Sequence, residues 1–320
     1  MTTQAAAAEV SASITPGRSL PWKALAAGRA LLLASSAALG VAVLYLVAVR
    51  TGTGQRFDDA VVIGRVEQQS WFRWAVVVRL TRWSDIPLMI GAAVAFGWAV
   101  ATRRIAQAVG ALAIIGGSFV TTEVLKKGLL SRPPMTDTYP FNSYPSGHTT
   151  VAVAVAVGLV LVAPQAWRGR VAMVVGLLAT LVANGTLAIG WHRASDAIGA
   201  CLVVLAWAGA VVAVMLAFGT ATRATPGRAR RLSHGAWGLA ALTVACGLPA
   251  LWQLGGVLRR LRNPAVLSTS ELRHLYNTAD LLVLASVTAT MALFLLVLQG
   301  ISLDSARAGR GASGERPIDG

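Results

Sequence analysis

Two of the four histidines in this chain lie in short polar segments at the ends of long apolar runs. His192 precedes Asp196 by four residues in the segment GWHRASDAIGA, residues 190–200, and this spacing places both side chains on one face of a helix that is continuous there. A carboxylate bonded to one imidazole nitrogen leaves the other nitrogen as a nucleophile. The pair therefore predicts nucleophilic chemistry, although a polar pair that only caps the end of a membrane span has the same spacing.

The second histidine, His148, lies in the segment YPSGHTT, residues 144–150. Pro145 ends the preceding loop, and Ser146 and Gly147 begin a helix whose first backbone N–H groups have no partner within the helix. Free N–H groups, the positive end of the helix dipole and a glycine that permits close approach together form an anion site. Simple capping by the serine explains the same residues without a ligand.

A third polar segment, LKKGLLSRPPM at residues 125–135, contributes positive charge. Lys126 and Lys127 end an apolar run, and Arg132 precedes a Pro-Pro pair. Cations placed beside a nucleophile neutralise a phosphate group that is being transferred. Basic residues at the end of a span also serve as anchors in the membrane interface, so this segment by itself leaves both roles open.

A predicted membrane bundle positions these segments. The chain of 320 residues is 55% hydrophobic and only 13% charged, and its apolar runs approach the roughly 20 residues that cross a bilayer. The net charge of +15 comes from arginines scattered over span ends, which does not fit the continuous basic patch of a nucleic-acid-binding protein. The predicted fold is an all-α polytopic bundle of eight spans, at about 28–49, 85–102, 105–125, 148–165, 171–190, 196–218, 235–256 and 281–301.

The order of the spans constrains the site. Residues 126–148 and 191–196 are separated by two spans, so both segments lie at one face of the membrane. The positive-inside rule assigns the short loops with Arg103, Arg168 and Arg228 to the cytoplasm, and hence the site to the extracytoplasmic side of the plasma membrane. We expect a six-span core at 25–218, two additional spans at 219–302, and disordered tails at 1–24 and 303–320. The loop at 257–280 either caps the outer face or only connects two spans.

The three segments occur in the order of the signature motifs of the type-2 phosphatidic acid phosphatase superfamily, which the chain resembles over roughly residues 85–218. That superfamily includes lipid phosphate phosphatases and bacterial undecaprenyl-pyrophosphate phosphatases. The resemblance implies that His192 attacks phosphorus, that Asp196 orients it, and that His148 acts as acid and then as base. It also implies that four residues bind the phosphate, two of them through backbone N–H groups: Lys126, Arg132, Ser146 and Gly147.

Two features depart from the family pattern. Six residues separate the lysine from Arg-Pro in the family's first motif, whereas five separate Lys126 from Arg132 here, and Lys127 stays an alternative ligand. The third motif carries an arginine six residues before its histidine, but Thr186 occupies that position. Loss of such a contact commonly costs a few kcal/mol of transition-state stabilisation. Arg193, next to the nucleophile, either replaces this cation or anchors the span in the interface.

The leading hypothesis is a hydrolase of a membrane lipid phosphate, with an undecaprenyl-type pyrophosphate ranked before phosphatidate and phosphatidylglycerol phosphate. The alternative is a transporter or lipid-binding membrane protein with a degenerate site, which the lack of charged residues near span centres disfavours. His148, His192 and Asp196 are also suitable zinc ligands. Because the surrounding cations, Lys126 and Arg132 among them, would repel a metal ion, we expect no metal cofactor.

Overall fold

The computed structural model describes residues 22–68, 85–136, 141–224, 226–261 and 267–303. Most of these residues belong to α-helices: α1 (Trp22–Leu44), α2 (Gly52–Gln68), α3 (Asp85–Ala101), α4 (Ile105–Val124), α5 (Gly147–Val162), α6 (Arg168–Ala188), α7 (Ala194–Ala217), α8 (Pro226–Arg260) and α9 (Thr269–Val297). The π-helical turns Tyr45–Val49 and Leu125–Leu129 extend α1 and α4. Two short antiparallel strands, β1 (Thr222–Arg223) and β2 (Ile301–Ser302), connect the chain after α7 to the chain after α9.

Within the described ranges, six helical segments are long and apolar enough to cross a membrane: Trp22–Val49, Ile105–Leu129, Arg168–Ala188, Ala194–Ala217, His234–Leu258 and Thr269–Val297. Two shorter apolar helices are Ile90–Ala101, within α3, and α5. Each of the eight predicted spans overlaps one of these helices. The prediction of an all-α polytopic membrane protein is therefore confirmed.

The last helix, α9, begins at Thr269, well before the predicted start of its span near 281. Its first turn is a capping box, in which Ser268 Oγ accepts a hydrogen bond from Glu271 N (3.3 Å) and Glu271 Oε2 accepts one from Ser268 N (2.9 Å). Because the first turns of α9 contain polar residues, a search for apolar runs does not detect this part of the helix. The loop predicted at 257–280 is therefore helical at both ends.

The segment between the first two predicted spans, which we expected to be an outer loop at 51–84, contains a further helix, α2. Its sequence has no long apolar run, so composition alone predicted a loop. Gly64 lets α2 pack closely on α9, because a Cβ at this position would collide with the carbonyl oxygen of Leu272. Gln55 and Asp58 on α2 are buried, although both are polar. Residues 69–84, the remainder of the predicted loop, lie outside the described residues.

Helix α7 lies at the centre of the bundle and packs against α1, α4, α5 and α9. Small residues bring these helices close together, as is common in membranes: a Cβ at Gly209 would collide with the carbonyl oxygen of Ala30, and one at Gly117 with the ring of Trp207. Because α9 also packs on α2, α6 and α8, all of these helices share one bundle. The division into a six-span core and an addition stays a prediction, and the predicted tails lie almost entirely outside the described residues.

Candidate active site

His192 lies in the turn that connects α6 to α7. The backbone N–H groups of Trp191 and His192 both donate to the carbonyl oxygen of Thr186, at 3.0 and 3.3 Å. Gly190 has a φ of 74°, in the left-handed region that favours glycine, and this conformation permits the tight turn. As a result His192 lies beside the first turn of α7, with Nδ1 3.5 Å from Oδ2 of Asp196.

Asp196 is completely buried and is held from two sides. Ser143 Oγ donates to Oδ2 of Asp196 at 2.6 Å, and the backbone N–H of Arg193 donates to the same oxygen at 2.9 Å. The distance from His192 to Asp196 is at the outer limit for a hydrogen bond. It nevertheless directs Nδ1 toward the carboxylate, which favours the tautomer in which Nε2 carries the lone pair of a nucleophile.

His148 lies in the first turn of α5, next to the His192–Asp196 pair. The ring centroids of His148 and His192 are 5.9 Å apart. Ser146 caps α5, since its Oγ accepts a hydrogen bond from Thr149 N at 3.3 Å, and its own N–H donates to the carbonyl oxygen of Asp196 at 3.0 Å. This last hydrogen bond joins the N-termini of α5 and α7. The structure therefore brings both histidine segments to one end of the bundle.

Of the two neighbouring lysines, Lys126 is directed toward the start of α5. Its Nζ would lie 3.4 Å from a Cβ at Gly147, and it pairs with Glu123 at 2.7 Å. Lys127 pairs with the other carboxylate oxygen of Glu123, but 75% of its side chain is exposed, compared with 18% for Lys126. Both lysines lie in the π-helical turn Leu125–Leu129, where the spacing departs from the family's first motif. Of the two lysines, Lys126 is the one that approaches the start of α5, and its role as a phosphate ligand stays a prediction.

This difference predicts unequal effects of removing the two lysines. We expect Lys126→Ala to lower kcat/KM for a phosphate substrate by about 10-fold or more, because a cation near the start of α5 is lost. Lys127→Ala removes an equal charge from an exposed position and serves as the matched control, with activity close to that of the wild type. Equal losses in the two variants, measured as phosphate release, would contradict this assignment.

Arg132 is a buried cation whose guanidinium group makes no hydrogen bond with the described residues. Its side chain is 2% exposed, and none of its three nitrogens has a hydrogen-bond acceptor there. Its ion-pair partner, Oδ2 of Asp58, is 3.6 Å from Nη1. Buried donors without acceptors are energetically costly, and an anion that accepts from two or three of them removes that cost. The guanidinium group is therefore suited to binding a phosphate.

Arg193, the residue before α7, contacts the chain that leads into α5. Its Nη1 donates to the carbonyl oxygen of Phe141 at 3.3 Å and to Ser143 Oγ at 2.9 Å, and its Nε is 3.7 Å from Oδ1 of Asp59. These contacts hold residues 141–143 against the start of α7. The role of Arg193 in phosphate binding stays a prediction.

Two acidic residues next to the site were not assigned from the sequence. The segment GQRFDD, residues 54–59, reads as an ordinary outer loop or a substrate entrance, but it forms part of α2 and directs Asp58 and Asp59 toward Arg132 and Arg193. Burial raises the pKa of Asp58 to about 7, with a further contribution from neighbouring Asp196. The feature of the sequence that could have indicated these two residues is the pair of adjacent carboxylates in a chain with a net charge of +15.

Another residue of α2, Arg65, reaches the turn that precedes His192. This turn follows Thr186, which occupies the position of the arginine in the family's third motif. Thr186, at the arginine's position, is buried, and its hydroxyl donates to the carbonyl oxygen of Ala183 at 2.8 Å. The guanidinium group of Arg65 occupies the space into which a Cβ on Gly190 would project. The turn before His192 therefore has a cation next to it, although position 186 supplies none.

Among the residues that the structure describes, no group of three or more His, Cys, Asp or Glu side chains is arranged to hold a metal ion. The membrane-spanning helices, the histidine–aspartate pair and the adjacent cations define a membrane protein of the phosphatase type. Residues 107–220 match the model of the PAP2 superfamily, and over this segment the chain is similar to that superfamily. The match runs from α4 to the end of α7 and does not include α2, α8 or α9. Comparisons with curated proteins and with solved structures gave no match.

Proposed function

We propose that the protein hydrolyses the phosphate ester or diphosphate bond of a membrane lipid, with a polyprenyl pyrophosphate as the first candidate and a glycerolipid phosphate as the second. The observation that carries this proposal is the buried guanidinium group of Arg132, which lacks a hydrogen-bond acceptor among the described residues. Asp58 links this cation to α7, and the two adjacent histidines can transfer a phosphate group. The distribution of arginines supports a site at the extracytoplasmic face of the plasma membrane as part of this proposal.

The proposed reaction has two steps. Nε2 of His192 attacks phosphorus while the bond from phosphorus to the leaving oxygen breaks, which gives a phosphohistidine. His148 donates a proton to the leaving oxygen and then accepts one from the water that attacks the phosphohistidine, so that phosphate is released and both histidines are restored. Asp196 keeps the proton on Nδ1 and stabilises the positive charge that develops on the ring.

The charge of the transferring group is bound by cations and by the N-terminus of α5 in this proposal. Lys126 and Arg132 supply positive charge, and Arg193 adds to it from the start of α7. Gly147 supplies a backbone N–H at the positive end of the helix dipole. The backbone N–H of Ser146 already donates to α7, so Ser146 contributes through its hydroxyl proton instead.

An apolar groove between α1, α4 and α7 supports a substrate with a long hydrocarbon chain. Its volume is about 500 Å³, and its walls include Ala42, Leu125, Leu130 and Trp207. Leu125 belongs to the same π-helical turn as Lys126, so the groove reaches the segment that carries one of the cations of the site. An amphiphilic phosphate can therefore place its chain in the groove and its head group among the charged residues.

The proposal is tested with purified protein in detergent. We expect phosphate release from undecaprenyl pyrophosphate, phosphatidate or phosphatidylglycerol phosphate, at a higher kcat/KM than from p-nitrophenyl phosphate, which has no lipid chain. Activity is expected to persist with EDTA, because the proposed reaction uses no metal ion. A wild-type protein that binds these lipids but releases no phosphate from any of them would support the alternative of a lipid-binding protein.

Filling the groove tests how the lipid chain is bound. Ala42→Trp places a large ring on the groove wall, and we expect it to lower kcat/KM for the lipid phosphate by about 10-fold while activity on p-nitrophenyl phosphate is retained. Leu248→Trp, at an exposed position of α8, is the control for a new tryptophan on the surface of the bundle. A parallel loss on both substrates in Ala42→Trp would show general damage and would argue against a chain in this groove.

A further inference from the structure

Helix α2 lies outside the segment that matches the PAP2 superfamily, yet it binds the chain around Arg132 through two buried side chains. Gln55 Nε2 donates to the carbonyl oxygen of Pro133 at 2.7 Å, and Oδ2 of Asp58 is 3.6 Å from Nη1 of Arg132. Gln55 and Asp58 are three residues apart, so they lie on one face of the helix. This face of α2 therefore holds both the side chain of Arg132 and the backbone that follows it.

Asp58 binds the first turn of α7 as well. Its Oδ2 accepts a hydrogen bond from Ser195 Oγ at 2.6 Å, and its Oδ1 accepts one from the backbone N–H of Ser195 at 3.3 Å. Ser195 directly precedes Asp196, the partner of His192. A single carboxylate thus connects the proposed phosphate-binding cation to the helix that orients the proposed nucleophile.

We propose that Asp58 is a positioning residue of this site, which fixes the guanidinium group of Arg132 relative to the start of α7. The inference rests on the proposed phosphatase function. In-line phosphoryl transfer depends on the distance between the nucleophile and the cations that bind the phosphate, and a displacement of about 1 Å can cost about 100-fold in rate. Asp58 limits such a displacement because it contacts both sides of the site.

The effect of Asp58 on stability distinguishes this role from a purely structural one. Burial and Asp196 raise its pKa to about 7, although the hydrogen bond from Ser195 and the charges of Arg132 and Arg193 oppose that shift. A folded-state pKa above the ordinary value of 3.8 means that folding favours the neutral carboxyl group, and this stabilisation is lost as the pH rises through about 7. Above that pH the ionised carboxylate is a cost to the fold relative to the neutral form, so a loss of activity without a loss of stability would indicate a role in the site.

The test uses Asp58→Asn, which keeps the volume and an oxygen acceptor for Ser195 but removes the charge that pairs with Arg132. At pH 8 we expect kcat/KM for the lipid phosphate to fall about 10- to 100-fold, while the midpoint of thermal unfolding stays the same or rises. Glu67→Gln neutralises an exposed carboxylate on the same helix and is the matched control, with wild-type activity and stability.

A double-mutant cycle shows whether Asp58 acts through Arg132. If it does, adding Asp58→Asn to Arg132→Gln changes kcat/KM by less than about twofold. Ser195→Ala, which loosens the other end of the connection, is expected to give a smaller loss that is likewise absent in the Arg132→Gln background.

The possible outcomes separate the two proposals. Wild-type activity in Asp58→Asn, additive effects in the cycle, or a loss of activity that accompanies a lower unfolding midpoint would each overturn the positioning role. Failure of Asp58→Asn to fold, together with wild-type activity in Ser195→Ala, would overturn it as well. A wild-type protein that releases no phosphate would instead overturn the proposed function.

Discussion

His192→Ala is expected to reduce phosphate release by at least about 10⁴-fold, because the variant lacks the imidazole that forms the bond to phosphorus. The position of His192 beside Asp196, with Nδ1 directed toward the carboxylate, is the structural reason for assigning the attack to this histidine. The measurement is phosphate release from a lipid phosphate by purified protein. Rapid acid or alkali quench of a reaction with radiolabelled substrate should also reveal an alkali-stable, acid-labile phosphoenzyme in the wild type and none in the variant.

The other histidines provide the comparison for this experiment. His148→Ala is expected to accumulate phosphoenzyme from p-nitrophenyl phosphate, whose leaving group needs no proton, since the variant lacks the base for the second step. His234→Ala changes an exposed histidine of α8 and is expected to behave as the wild type. Formation of the phosphoenzyme in His192→Ala, or accumulation of phosphate on a residue other than histidine, would show that His192 is not the nucleophile.

Arg132→Gln is expected to lower kcat/KM by about 10²- to 10³-fold, because a buried donor of charge-assisted hydrogen bonds to the phosphate is lost. Inhibition by vanadate, which imitates the transferring phosphate group, is expected to weaken by a similar factor. The glutamine side chain keeps polar atoms in the site but has neither the charge nor the planar set of donors of a guanidinium group.

The matched control for Arg132→Gln is Arg170→Gln, at the first turn of α6, where the guanidinium group lies over the ring of Trp167. This change removes the same charge at the start of α6, whereas the turn with His192 follows the other end of that helix. Activity and vanadate inhibition are therefore expected to stay at wild-type values. If Arg132→Gln lowers activity but leaves vanadate inhibition unchanged, the guanidinium group does not bind the phosphate, and its burial beside Asp58 is structural.

The class of the protein could be predicted from the sequence, because it depends on local properties of the chain, whereas the chemistry of its histidines stays a prediction. The length of an apolar run decides whether a helix can cross a bilayer, and it is independent of what packs on that helix. The four-residue spacing of His192 and Asp196 also brings their side chains together, but through the turn before α7 and not through the shared helix face that the spacing predicted, and Ser143 helps to hold the carboxylate. The order of the three polar segments indicated the resemblance to the superfamily, whose model residues 107–220 match. The lipid substrate and the membrane face of the site stay predictions.

The surroundings of the histidines were decided by the tertiary structure alone. Helix α2 has no apolar run and forms by packing on α9, so a search for apolar runs could not find it or the contacts of Asp58 with Arg132 and Ser195. The choice between Lys126 and Lys127 depends on the π-helical turn and on which lysine approaches Gly147. These features require residues that are far apart in the chain to meet, and spacing along one helix carries no information about such contacts. The sequence by itself therefore determined which residues could transfer phosphate, and packing decided which charges surround them.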